Sequence, residues 1–413
     1  MLVQIGTLIA ATSVVQLANG FFNTFLSLRL TTESFGPTLT GIVLSAYFIG
    51  FSAGAVGSGR IIQRIGHIRA YAAFAGMVVV GTAGMAIFVS PLGWILCRMA
   101  IGIGCVGLFI TTESWLNAKA PPDQRGRIFS IYMVGTFLAL AAGQLLIGSL
   151  PIASMTPFFI IIALFALALM MVSATRAEAP ALPAEASLPY GELTRQAPVS
   201  VLGCVVSGIV TSAFYALVPA WMARNEIPQE TIALFMLVAV LGGFAFQVPV
   251  GKVSDRGDRR VVLAGLAIGF SAAALLIQLV PPRLAFVLPV AALLGGFMST
   301  LYPVSVAHAL DRMPQDRVVA VSGRLILVSG IGSALGPILG AQVMGQLDIN
   351  GLLYFMAAAT VALAAVAGLR IRHRAPPEQM AERPFAIIDP LAAPISQEPE
   401  ATDADGTPRP LPA

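Results

Sequence analysis

Gly251-Lys-Val-Ser-Asp-Arg-Gly-Asp-Arg-Arg260 separates two long apolar stretches, and Gly59-Arg-Ile-Ile-Gln-Arg-Ile-Gly-His-Ile-Arg69 separates two others. The two loops stand 192 residues apart, and the same offset holds well beyond them. Gly59 falls on Gly251, Arg64 on Arg256, Gly104 on Gly296, Pro122 on Pro314, Arg125 on Arg317 and Gly148 on Gly340. The matched residues are those that punctuate helices, not the interchangeable apolar filler between them. An internal repeat of this kind in an apolar chain is how many secondary transporters are built, with their site at the interface of the two halves.

Outward from the loops the chain is apolar. Hydrophobic residues make up 57% of it and charged residues 11%, against about 25% charged in a soluble domain. Lipid must solvate most of such a chain. Twelve stretches are long enough to span a bilayer: 6–28, 38–58, 70–90, 93–117, 128–150, 154–173, 199–222, 231–250, 261–280, 284–308, 318–345 and 349–370. The expected fold is an all-α membrane protein of twelve transmembrane helices in two pseudo-symmetric six-helix halves, 1–173 and 199–370. Between them, 174–198 is rich in Ala, Pro and Glu and reads as a cytoplasmic linker without helical period. The Pro-rich stretch 371–413 reads as a disordered cytoplasmic tail.

Basic residues set the expected orientation. With the N-terminus inside, Arg60, Arg64, Arg69, Lys119, Arg125, Arg127, Lys252, Arg256, Arg259, Arg260 and Arg312 are cytoplasmic, and the outer loops hold only Arg29, Arg224 and Arg283. This predicts a multi-pass protein of the bacterial inner membrane with both termini in the cytoplasm. The net charge of +4 then reflects that asymmetry and calls for no nucleic acid. Residues 1–28 lack the basic flank of a cleaved signal. Cys97, Cys105 and Cys204 lie within spans and form no CxxC or Cys/His cluster, so no disulfide, metal or cofactor is expected.

Both loops resemble the GxLxDRxGRR signature of the major facilitator superfamily. Arg98-Met-Ala-Ile-Gly102-Ile-Gly104 resembles its RxxxGxG pattern in the fourth helix. Gly332-Ser-Ala-Leu-Gly336-Pro337-Ile-Leu-Gly340 resembles the GxxxGPxxG run of its drug antiporters, but those carry it in the fifth helix, where this chain has Gly135 and Gly143 without the proline. Glu113-Ser-Trp-Leu-Asn117 followed by Arg125-Gly-Arg127 is similar to a bacterial branch typified by YcaD, which brings no substrate with it. The resemblance implies a transporter working by alternating access, with the first and seventh helices lining a central cavity. It also implies a gating role for Gly59, Gln63, Arg64, Gly251, Asp255 and Arg256. In the family the loop acid docks on a helix N-terminus of the opposite half when the cytoplasmic gate shuts, and a carboxylate is favoured there by the helix dipole. Gln63 replaces that acid in the first loop, whereas Asp255 keeps it, so Asp255 is the expected stronger latch, against the start of the fifth helix near Ile128.

Polar side chains inside the spans mark candidate sites. Thr12, Gln16, Asn19 and Asn23 are spaced to share one stripe of the first helix. The offset places Cys204, Gly208, Thr211 and Tyr215 on the matching stripe of the seventh. Gln16, Asn19, Asn23, Thr211 and Tyr215 are therefore expected to face substrate, the competing reading being hydrogen bonds that hold the bundle together. Tyr47, Tyr132, Gln144, Gln247 and Tyr302 read as packing or interfacial groups. Glu113 is the one carboxylate within a predicted span, with Arg127 across a short turn. The pair reads either as a proton or substrate site or as an ion pair that snorkels to the headgroups. Arg98, inside the fourth helix, either serves an anion or a protonatable partner or snorkels outward. His308, beside Asp311 and Arg312, reads as an interface residue.

The expectation is a monomeric secondary active transporter that moves a small solute across the inner membrane, with proton coupling through Glu113. Efflux of an amphiphilic compound is favoured, because the cavity stripe is polar yet nearly uncharged. Uptake of a small metabolite is the alternative. A non-transporting sensor or assembly partner is the alternative of another class. An enzyme is not expected, since the spans hold no nucleophile–base pair or metal-ligand cluster.

Overall fold

The computed structural model describes residues 2–33, 35–174, 190–313 and 318–373. These form α1 (Leu2–Thr32), α2 (Pro37–Ile65), α3 (His67–Ile87), α4 (Pro91–Lys119), α5 (Arg125–Ser149), α6 (Thr156–Ser173), the short α7 (Tyr190–Gln196), α8 (Pro198–Arg224), α9 (Gln229–Arg256), α10 (Arg259–Leu276), α11 (Leu284–Leu310), α12 (Val318–Gln346) and α13 (Gly351–His373). Twelve of them, all but α7, are long and apolar enough to cross a bilayer. Proline opens α2, α4 and α8, where its missing N–H costs nothing. Ser90 caps α4 by accepting from the Gly93 N–H at 3.1 Å.

Several helices run past the apolar windows. α2 continues to Ile65 and α9 to Arg256, so most of each signature loop is the last turns of a helix. Hydropathy marks where lipid ends, not where backbone hydrogen bonding ends. The chain reverses only at Gly66, whose φ of 81° is open to glycine, and at Gly257–Asp258. The expected linker is helical in part, since α7 lies within it. Its stretch 175–189, and 374–413 of the expected tail, fall outside the described residues.

The repeat is visible in the packing. In the first half α2 packs on α4, α1 on α5, and α3 on α6; in the second α9 packs on α11, α8 on α12, and α10 on α13. Gly50 and its mate Gly242 carry equivalent crossings. A Cβ on Gly50 would lie 2.0 Å from the Met99 carbonyl oxygen, and one on Gly242 would lie 2.3 Å from that of Ala292. Backbones approach this closely in membranes because small residues permit it. Large apolar residues such as Val80, Met170, Val261 and Leu279 are exposed on the outside, as a lipid-facing surface requires.

The bundle has a basic end, carrying Arg64, Lys119, Arg127, Lys252 and Arg256, and a far end. The halves meet through α2 with α12, α5 with α9, and α1 with α8. At the far end Ser27 Oγ accepts from the Ala220 N–H at 3.2 Å. Nearby, Gln229 Nε2 donates to the carbonyls of Ile147 and Leu150, the second at 2.8 Å. A Cβ on Gly41 would lie 2.7 Å from the Pro337 carbonyl oxygen. At mid-depth the rings of Phe137 and Phe244 are 5.4 Å apart. All these contacts lie between the middle and the far end. At the basic end Gln63, Arg64, Lys252 and Arg256 are exposed, and a Cβ on Gly126, at the start of α5, would meet nothing within 4 Å among the described residues.

Candidate functional site

The polar stripe of α1 is one hydrogen-bonded column. Asn19 Nδ2 donates to Gln16 Oε1 at 3.4 Å, and Asn23 Nδ2 donates to Asn19 Oδ1 at 3.1 Å. The column then leaves α1. Arg98 Nη2, on α4, donates to Asn23 Oδ1 at 3.1 Å, and Tyr47 Oη, on α2, donates to Asn19 Oδ1 at 3.4 Å. All five side chains are buried.

Glycine explains how α2 reaches this point. A Cβ on Gly102 would lie 2.0 Å from the Tyr47 carbonyl oxygen, and one on Gly104 would lie 2.8 Å from that of Phe74. The two glycines of the RxxxGxG pattern thus seat α2 and α3 against α4, and the first lays Tyr47 across Arg98. The guanidinium carbon is 4.6 Å from the Tyr47 ring centroid and 5.3 Å from that of Phe22. Arg98 is 1% exposed, and among the described residues its Nε and Nη1 have no hydrogen-bond partner. A charge in the bilayer costs about 2.5–3.5 kcal/mol even on insertion scales. Cation–π contacts of about 0.5–2 kcal/mol each offset part of that.

Toward the basic end Thr12 Oγ1 donates to Thr112 Oγ1 at 3.0 Å, tying α1 to α4 beside Glu113. Glu113 is 3% exposed and accepts from Tyr132 Oη at 3.2 Å. Arg127, expected to pair with it, is instead exposed near the start of α5, five residues and about 7.5 Å of helix before Tyr132. Arg98 and Glu113 are fifteen residues apart on α4, roughly 22 Å, and so lie at different depths of the bundle. Gln144 accepts from Thr24 Oγ1 at 2.7 Å and donates to the Gly20 carbonyl at 3.1 Å, a strut between α1 and α5 as a packing residue should be. Gln247 donates to the Ser299 carbonyl at 3.3 Å, a similar strut between α9 and α11. Tyr302 packs among the apolar residues near α7.

Thr211 and Tyr215 are buried at the middle of α8, the Tyr215 ring 5.4 Å from that of Phe214. Gly208, on the expected stripe with them, belongs to a packing seam. A Cβ there would lie 2.1 Å from the Ser329 carbonyl oxygen of α12. Gly332 and Gly336 close the same seam, their added Cβ atoms falling 2.2 Å from the Val205 oxygen and 2.4 Å from the Ile209 oxygen. The GxxxGP run is therefore helix-packing surface here.

The signature loops differ in charge chemistry. Asp255 Oδ1 is 3.1 Å from Arg259 Nη2, and Arg259 Nε is 2.7 Å from Asp311 Oδ2. Arg259 Nη1 also donates to Ser254 Oγ at 3.0 Å. Asp258 caps α10 through the Arg260 N–H at 2.9 Å and pairs with the Arg260 guanidinium at 2.7 Å. Partial burial pushes the Asp258 carboxyl upward, but those bonds and the Arg260 charge hold it below the ordinary carboxylate range. In the first half His67 stands in the place of Arg259 and shares a 3.1 Å hydrogen bond with Ser114 Oγ. Lys119 stands where the second half has Asp311, and Gln63 where it has Asp255.

Sequence reasoning treated Arg98 and the α1 stripe separately and set Tyr47 among packing residues. The structure joins all three. The available signal was Gly102, one turn beyond Arg98, which marks where a neighbouring helix comes closest.

The family description Major Facilitator Superfamily matches residues 8–242 and 200–397, two overlapping segments that follow the internal repeat. Relatives from Shigella flexneri and Escherichia coli, each named "Uncharacterized MFS-type transporter YcaD", are 29% identical over 355 residues, spanning 85% of this chain and 91% of theirs. The fold is similar to the crystal structure of the nucleoside transporter NupG, with a TM-score of 0.70 and 15% identity over 90% of this chain and 100% of that one. It is also similar to a bacterial homologue of the human lysosomal transporter Spinster in its inward-facing, unoccupied conformation. There the TM-score is 0.68 and the identity 17%, over 91% and 98% of the two chains. The fold is one of transporters rather than of enzymes, and the chain belongs to the major facilitator superfamily, related to its YcaD branch.

Proposed function

We propose that this secondary transporter carries a small solute through a site formed by the polar column of α1, α2 and α4 on one side and mid-α8, with Thr211 and Tyr215, on the other. The observation that carries the reading is the column itself. Five buried polar groups run through an apolar bundle, and interhelical support alone does not need a continuous line of them. The positive-inside rule puts the basic end, and with it both termini, in the cytoplasm. The inter-half contacts then seal the periplasmic side, and this is the inward-facing state. Asp255 is held by Arg259 in this state; on closure of the basic end it moves to the N-terminus of α5 near Ile128, where the helix dipole favours its charge. Gln63 makes the matching contact of the other half more weakly.

Glu113 is the proposed proton carrier. It is buried, uncharged Tyr132 bonds it, and the closure of the basic end changes its surroundings. Arg98 adds a buried cation to the nearly uncharged stripe on which efflux of an amphiphilic compound was favoured, so an amphiphile with an anionic group fits it as well. The related proteins are named as transporters without a substrate, and nothing is carried over from the cargo of the structural neighbours.

The test is a thermal-shift screen of purified protein against metabolites and drugs, because a ligand bound only by the folded state raises the melting temperature. Hits are followed by flux into proteoliposomes with and without a pH gradient. A ligand that stabilises the protein, exchanges across the membrane and is weakened by Asn19→Ala is expected. Flux that is untouched by changes at Gln16, Asn19 and Asn23 would remove the column from the pathway.

A further inference from the structure

We propose that Arg98, Asn23 and Tyr47 form an oxyanion-binding subsite, and that it takes the carboxylate of a small organic monocarboxylate with an apolar body. The inference rests on the transport reading above and narrows its substrate class.

Arg98 is buried, yet only its Nη2 is bonded, to Asn23. Among the described residues the Nε and Nη1 hydrogens have no acceptor. The ionisable side chains beside the guanidinium are Tyr47 and Cys105, and neither is a carboxylate. A buried cation of this kind is short of a counter-charge, and its free N–H groups form the planar fork that matches a carboxylate. The helix crossing itself does not need it. In the second half Gly295 meets the Ala239 carbonyl as Gly102 meets that of Tyr47, so Ala291 holds the place of Arg98; it is also buried, and α9 packs on α11 there through an uncharged residue. The cation is thus an addition of one half, and it is wired to the polar column through Asn23 and, by way of Tyr47, through Asn19.

The surroundings select the rest of the ligand. One guanidinium, with no second basic group acting on it among the described residues, suits a single negative charge. Phe22 and Tyr47 lie against it, Tyr47 meets Phe48 and Phe51, and Phe51 meets Phe109. An aromatic wall favours an apolar body over a sugar or a polyol. Arg98 is 1% exposed in this conformation, so the ligand binds as Tyr47 and Asn23 give way, and the bound state differs from this one.

The experiment measures melting of the purified full-length protein in a neutral detergent. The probes are benzoate and hexanoate, each against its own amide, at matched ionic strength. The carboxylates should raise the melting temperature and the amides should not. In Arg98→Gln the ligand-free protein should melt no lower than the parent, since an uncompensated charge is gone, and the carboxylate shift should vanish. Arg98→Lys keeps the charge but loses the fork, and should weaken carboxylate binding by about tenfold; it serves equally if the glutamine variant does not fold. Equal shifts from acids and amides, no shift from either acid, or a full carboxylate shift in both variants would each overturn the subsite. Arg98-dependent carboxylate binding without flux of that carboxylate in proteoliposomes would count against the transport reading alone. A transported solute that benzoate and hexanoate do not displace would count against the subsite alone.

Discussion

Gly102→Ala is the sharpest test of how the site is assembled. The added methyl would lie 2.0 Å from the Tyr47 carbonyl oxygen and 2.8 Å from the Phe51 backbone nitrogen. Real Cβ atoms essentially never come within 3.0 Å of such atoms. The atoms in the way are backbone in the middle of a helix, so no side chain can swing clear, and α2 must retreat by about 1 Å or more. Overpacking of this kind costs about 1–3 kcal/mol. The retreat also draws the Tyr47 ring off Arg98, which removes roughly 0.5–2 kcal/mol of cation–π attraction and lengthens a bond to Asn19 that is already 3.4 Å. Gly57→Ala is the matched control, because a Cβ there would meet nothing within 4 Å and alanine is favoured over glycine in a helix by about 1 kcal/mol. Thermal unfolding in detergent and binding of a stabilising ligand read both variants. Gly57→Ala should melt at or above the parent and bind normally. Gly102→Ala should melt lower and bind more weakly. If the two behave alike, the close approach of α2 and α4 is not what builds the site.

Three further outcomes follow from named residues. Glu113→Gln should abolish accumulation driven by a proton gradient while leaving substrate binding and equilibrium exchange largely intact; a variant that still concentrates substrate would make Glu113 structural. Asp255→Asn should loosen closure of the basic end and Gln63→Asp should tighten it by about 0.3–1 kcal/mol, read by cysteine accessibility from that side, and matching, negligible effects would dismiss the latch. Reporter fusions after Thr175 should read cytoplasmic and those near Pro91 and Pro282 periplasmic, and the opposite pattern would invert the assignment of the two ends.

The membrane made much of the fold legible. A helix in lipid must satisfy its own backbone and show lipid an apolar surface, so twelve spans and their repeat stand out in the residues themselves. Helix ends were less legible, because Gly59–Ile65 and Gly251–Arg256 are polar yet helical. The site was legible in pieces. Spacing alone aligned Gln16, Asn19 and Asn23, since it is a property of one helix. That Arg98 closes the same column depends on how α4 lies against α1, and no period within one helix reports that. Glu113 was found as a lone carboxylate, but its neighbour was taken from nearness in sequence. Arg127 follows the turn directly and points outward, while Tyr132 returns to the same face. Gly208 matched the stripe by register, though a residue without a side chain is as suited to a seam as to a cavity.

Gln229 reaches from one half to the carbonyls that end α5 in the other. These carbonyls have no partner within their own helix, and when the far end opens water can take the place of the amide. Separation there exchanges one set of hydrogen bonds for another at small net cost. The other hydrogen bond named across the seam, from Ala220 to Ser27, is equally free of ionisable groups. That clasp is indifferent to acidity and to ionic strength. A response to protons or salt therefore arises outside those two bonds, at Glu113 or at the ion pairs of Arg29 with Glu33 and of Arg259 with Asp255 and Asp311.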